Sequence, residues 1–108
     1  MASSPELTAY IAEQFGGAGE IIYKKMFGEY GLYCDGKFFA MVCDDRLFVK
    51  ITDAGREQFP FLPEDAPYDG AKNCFLIENP DDKDFLVRLA VVTCGALPEP
   101  KPKKQKSD

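Results

Sequence analysis

The chain has 108 residues with 45% apolar and 29% charged side chains, enough for one soluble domain and too few for two. It contains no histidine, which excludes Ser/His and Cys/His nucleophile pairs, His-ligated metals and the usual near-neutral proton shuttle. A formal charge of -5 opposes broad electrostatic binding of nucleic acid. That total hides an asymmetry: residues 98–108 carry four lysines and two acids, a net of +2, so residues 1–97 carry nine bases and sixteen acids, a net of -7.

In chain order, the first predicted element is a helix capped by Ser3 or Ser4, with Pro5 in its first turn and Leu7, Tyr10, Ile11 and Phe15 on one face. Gly16-Gly17 stops it. A strand follows over Ile21 to Phe27, Gly28-Glu29 turns the chain, and a second strand covers Gly31 to Cys34. Asp35-Gly36 is a strong hairpin signal, because a two-residue type I′ turn needs positive φ at both positions. A third strand covers Lys37 to Cys43, Asp44-Asp45 makes a second tight turn, and a fourth strand runs from Arg46 to Ile51. Asp53 is the expected cap of a short helix over Ala54 to Phe59; prolines 60, 63 and 67 then impose an irregular stretch. Cys74 to Glu78 reads as a fifth strand. Asn79-Pro80-Asp81-Asp82 reads as the start of a final helix with Phe85, Leu89 and Val92 on one stripe, Leu86 beside it, ending at Gly95. The expected fold class is therefore α+β: a single two-layer domain over residues 1–97, with a mainly antiparallel sheet of about five strands and the N- and C-terminal helices on one face. Residues 98–108 hold no apolar side chain except proline and read as an extended tail.

Two-residue turns fix strand pairing and thereby sort side chains by face. Unbroken alternation puts Tyr33, Phe38, Ala40, Val42, Leu47, Val49 and Ile51 on a core face. It puts Leu32, Phe39, Met41 and Phe48 on the other, framed by Lys37, Arg46 and Lys50. That second face is too apolar to be left in water. Its cover is a second copy of the chain, a foreign partner, or the chain's own segment around Phe59 and Phe61. The leading expectation is a homodimer or protein partner at an interface of Leu32, Phe39, Met41, Phe48 and Lys50. In that case Phe48→Asp leaves a folded chain that has lost its partner.

Catalytic, cofactor and metal sites are not expected. The cysteines at 34, 43, 74 and 94 form no C-x-x-C unit and sit among apolar residues, as small hydrophobes do. With no signal peptide and no apolar run near 20 residues, the expected compartment is the cytoplasm and no membrane is involved. The acid groups Asp44/Asp45 and Asp81/Asp82/Asp84 are explained by a turn and a helix start. No phosphate-binding loop, dinucleotide fingerprint or nucleophile elbow occurs. Direct nucleic-acid binding is not expected, as the final helix offers only Lys83 and Arg88 beside several acids.

Lys25-Met26-Phe27-Gly28-Glu29-Tyr30-Gly31-Leu32-Tyr33, then Asp35-Gly36-Lys37, Phe39-Ala40 and Asp44 to Lys50, resemble the amino-terminal domain of the TfoX/Sxy family. The likeness continues through Pro67 to Lys72 and Leu97 to Lys103. The resemblance implies a compact α+β unit and a non-catalytic regulatory module of the kind found in bacterial competence regulators, working in transcription regulation through a protein partner. Longer members carry a second, helical domain; this sequence looks like a stand-alone version. The family supplies no catalytic residues to carry over.

Overall fold

The computed structural model describes residues 5–26 and 29–97. The Ser3/Ser4 cap, Phe27, Gly28 of the expected Gly28-Glu29 turn and the 98–108 tail fall outside them; Glu29 already belongs to a strand. Helix α1 spans Pro5–Gln14 and ends in a 3-10 turn over Gly16–Ala18. The strands are β1 (Ile21–Met26), β2 (Glu29–Cys34), β3 (Lys37–Cys43), β4 (Arg46–Val49), β5 (Glu64–Asp65) and β6 (Cys74–Ile77). Helix α2 (Asp53–Gln58) follows β4, and α3 (Lys83–Ala96) closes the described chain. The strands form one antiparallel sheet in the order β1-β2-β3-β4-β6-β5. The α+β class is as expected; the sixth strand is the two-residue β5, too short to register as a periodic pattern.

Both tight turns take the backbone their residues suggested. Asp35 and Gly36 have φ of 51° and 86°, and Asp44 and Asp45 have 54° and 59°. In the first turn, Asp35 Oδ1 also accepts the Glu20 amide at 2.9 Å. Side-chain caps differ in detail from expectation. Thr52 Oγ1, one residue before Asp53, accepts the Gly55 amide at 2.9 Å and starts α2. Asp82 rather than Asn79 caps α3, accepting from the Phe85 amide at 3.2 Å. Asn79 instead holds the Asp81 amide at 3.0 Å in the preceding turn. The buried stripe of α3 is Leu86, Leu89, Ala90 and Thr93, with Phe85 and Val92 half-buried.

The helices cover one sheet face. Phe15, Phe39, Phe59, Phe75, Leu32, Leu47, Leu86 and Leu89 are almost wholly buried there. The Phe15 ring meets the Phe39 ring edge-on at 5.0 Å. At about 1.5–3 kcal/mol for each large apolar side chain removed from water, this cluster dominates the stability of the fold. Two polar contacts tie α1 to the loop before α3, residues distant in sequence: Tyr10 donates to Asp81 at 2.5 Å, and Gln14 Nε2 to the Pro80 carbonyl at 3.1 Å.

Candidate interaction surface on the outer sheet face

Register decides which side chains the outer face presents. Cys34 pairs with Lys37 and Tyr33 with Phe38, as two-residue looping requires. The next pair is Leu32 with Ala40 rather than Leu32 with Phe39. One extra residue, Phe39, is thus taken up in β3 as a bulge, and the bulge reverses the alternation on one side of it.

The consequence corrects the expected faces. Leu32 and Phe39 are 0% exposed in the helix-covered core, not on the outer face. Tyr33 and Phe38, expected in the core, lie half-buried on the outer face with ring centroids 5.2 Å apart. Lys37 follows Cys34 to the helix side, where its ammonium donates to the Cys94 carbonyl at 2.8 Å. Beyond the bulge the expected pairs hold: Ala40 with Val49, Met41 with Phe48, Val42 with Leu47. Phe38 and Phe39 still point to opposite faces; across the bulge it is Phe39 and Ala40 that share the core face.

Phe48 is 0% exposed within the single chain. It forms a small second core with Cys43 and Cys74, flanked by Met41 and Leu76, and the Arg46 guanidinium lies 5.2 Å from its ring centre. Arg46 in turn stands 3.9 Å from Asp65 at the start of the irregular segment. The chain therefore covers this end of the face itself, but not with Phe59 and Phe61. Phe59 is in the main core, and Phe61, 70% exposed, stacks beside Phe59 and Phe85 on the helix side. The segment after β5 carries buried Pro67 and, with Met41, Lys50, Tyr68, Lys72 and Cys74, borders a cleft of ≈ 350 Å³.

What the outer face leaves accessible is a strip at its other end. Lys24 Nζ lies 5.4 Å from the centre of the Tyr33 ring, and Lys50 Nζ lies 4.6 Å from the centre of Phe38. Each such cation over a ring contributes about 0.5–1 kcal/mol at an exposed site. Ile22, opposite Tyr33, adds an exposed apolar side chain. Along Lys24, Tyr33, Phe38, Met41 and Lys50 there are two cations and no acid, on a domain whose net charge is -7, with Glu20 beyond Ile22 at the start of the edge strand.

The remaining candidate chemistry is dispersed. Asp44 and Asp45 occupy their turn, Asp81 accepts from Tyr10 and Asp82 caps α3, so these carboxylates do not converge. Hydrogen bonding to Asp81 holds the Tyr10 hydroxyl above its ordinary pKa. Among the described residues no three His, Cys, Asp or Glu side chains gather as a metal site. All four cysteines are free thiols. Burial raises each of them, Cys43 to about 11 and Cys94 to about 12. Thiols that stay protonated at neutral pH are poor nucleophiles and poor metal ligands. Cys34 and Cys94 share a hydrogen bond between β2 and α3.

Comparison with known proteins matches residues 13–91 to the TfoX N-terminal domain. The chain belongs to the TfoX N-terminal domain family. It is also 38% identical over 108 residues to a protein of Spirochaeta aurantia, described as an uncharacterized 12.7 kDa protein in the trpE 5′ region; the match covers 99% of this chain and 94% of that relative. The family match runs from the last residues of α1 into α3 and includes the β3 bulge and both tight turns. No helix among the described residues is long and apolar enough to cross a membrane.

Proposed function

We propose that the chain is a non-catalytic regulatory module, resembling the N-terminal part of competence regulators, that acts in the cytoplasm on transcription through a protein partner docked on the outer sheet strip. One observation carries the reading: the Tyr33 and Phe38 rings lie side by side on the uncovered part of the sheet, each beneath a lysine, with no carboxylate among them. Aromatic rings rimmed by cations are the composition of protein interfaces, and the partner surface that complements them is apolar with an acidic margin. Of the residues first assigned to the interface, Lys50 and Met41 border this strip. Leu32 and Phe39 are withdrawn from it by the bulge, and Phe48 serves as its foundation.

The experiment is affinity capture with the wild type and a Tyr33→Glu/Phe38→Glu variant, quantified by mass spectrometry after circular dichroism shows both folded. A protein retained by the wild type and lost from the variant supports the reading; identical captured sets refute it. A salt-dependent mobility shift that survives deletion of residues 98–108 and vanishes in the variant would assign the strip to nucleic acid instead.

A further inference from the structure

Strand β1 is the terminal strand of the sheet, six residues long, while the opposite edge is closed by the two-residue β5. The Asp35 amide donates to the Glu20 carbonyl at 2.9 Å, which makes Glu20 and Asp35 a hydrogen-bonded pair. Pairing of β1 with β2 proceeds from there without a shift. Antiparallel alternation then turns the backbone groups of Ile22 and Lys24 toward β2 and those of Ile21, Tyr23 and Lys25 away from the sheet. Among the described residues no strand receives them. Ile22 and Tyr23 are 45% and 40% exposed along the same edge. A long strand with open backbone groups and exposed apolar side chains is a template for a further strand.

We propose that a second copy of this chain occupies that edge, its β1 antiparallel to the first about a two-fold axis through Ile22. Two-fold pairing that engages at least two of the outward residues Ile21, Tyr23 and Lys25 allows three centres. An axis at Lys24 sets that ammonium against its own copy. An axis at Tyr23 sets Ile22 against Lys24. An axis at Ile22 sets Ile22 on Ile22 and Glu20 on Lys24 twice, because Glu20, Ile22 and Lys24 share the outer face. The two copies exchange four backbone hydrogen bonds between Ile21 and Tyr23, and the sheet becomes continuous across both. Lys24 and Lys25 serve as selectors: they repel strands of other sequence or register and accept the one that presents an acid at position 20. This pairing goes beyond the partner reading of the outer strip.

The test is a concentration series in sedimentation velocity combined with cysteine cross-linking. The wild type should show a reversible monomer–dimer equilibrium. Glu20→Lys and Lys24→Glu should each weaken it about tenfold, since two attractive cross-strand pairs become repulsive at up to roughly 1 kcal/mol each. The double swap Glu20→Lys/Lys24→Glu should restore it. In the central, non-hydrogen-bonded pair the two Ile22 Cα atoms come to about 4.5 Å, a separation a disulfide spans. Ile22→Cys should therefore give a covalent dimer when glutathione disulfide takes up the two electrons, whereas Tyr23→Cys and the wild type should not. A wild type that stays monomeric throughout, a dimer indifferent to the charge reversals, or cross-linking at position 23 in place of 22 would each overturn the proposal. A Tyr33→Glu/Phe38→Glu variant that loses its captured partner but still cross-links through Ile22→Cys separates this edge from the strip.

Discussion

The two faces of the sheet use the same residue types to opposite ends. On the helix-covered face Phe39 is sealed against Phe15, and each ring is held by its apolar surroundings. On the outer face Phe38, its immediate neighbour in sequence, is covered by the Lys50 side chain and by Tyr33. Aromatic content is thus no guide to which face is the core. What distinguishes them is the cover: a helix shields permanently, while a lysine stem shields until something better arrives.

The sharpest test of that difference is a pair of adjacent truncations. Phe39→Ala should cost about 3–5 kcal/mol, the range for emptying a fully packed aromatic site. Phe38→Ala should cost about 1 kcal/mol, mostly a lost ring pair and cation contact. Urea titration of both proteins checks the order, and equal losses would mean that the outer strip is as much core as the inner face. Second in size is Phe48→Asp, which sequence reasoning expects to fold normally. With Phe48 at 0% exposure, the substitution buries a carboxylate among Cys43, Cys74 and Leu76 and should lower stability by about 3 kcal/mol or more. A cooperative transition unchanged from wild type would refute its placement.

Smaller effects probe the cover itself. Thr93 is fully buried on α3, and its hydroxyl has no hydrogen-bond partner among the described residues. Thr93→Val keeps the shape and removes that cost, so it should raise stability by about 1 kcal/mol in thermal unfolding. The smallest effect concerns the exposed Arg56–Glu64 pair, joined through two hydrogen bonds of 3.1 and 3.0 Å. Hydrogen bonding to Arg56 holds the Glu64 carboxyl below the usual carboxylate range. Its contribution is complete above the unfolded value of about 4.3 and disappears as the pH falls through the lower folded value. Glu64→Gln should therefore flatten the acid limb of the stability curve and leave neutral stability nearly unchanged.

Much of the architecture was legible because it rests on local chemistry. Asp35-Gly36 specified its turn, period-two runs specified four strands, and Gly95 after a helical stripe marked the end of α3 closely. The outer surface was less legible for one physical reason: a bulge is an energetic choice between packings, and alternation carries no trace of it. Once Phe39 enters β3 as an extra residue, Leu32, Tyr33, Phe38 and Lys37 all change sides. The cover over Phe48 was missed for a second reason. It comes from Cys74 and Leu76 of β6, brought beside β4 by non-local strand pairing, and from the Arg46 guanidinium, rather than from any repeating pattern.

The clasp of Tyr10 and Gln14 onto Asp81 and Pro80 has a consequence for biosynthesis. Helix α1 leaves the ribosome first, yet its polar partners lie about seventy residues downstream, and the Leu86, Leu89 and Ala90 side chains that seal the sheet are later still. A nascent chain stopped at residue 80 has every strand and half a lid. Closure of the fold therefore waits for α3, and a chain terminated within that helix leaves the sheet face it would seal open to quality control.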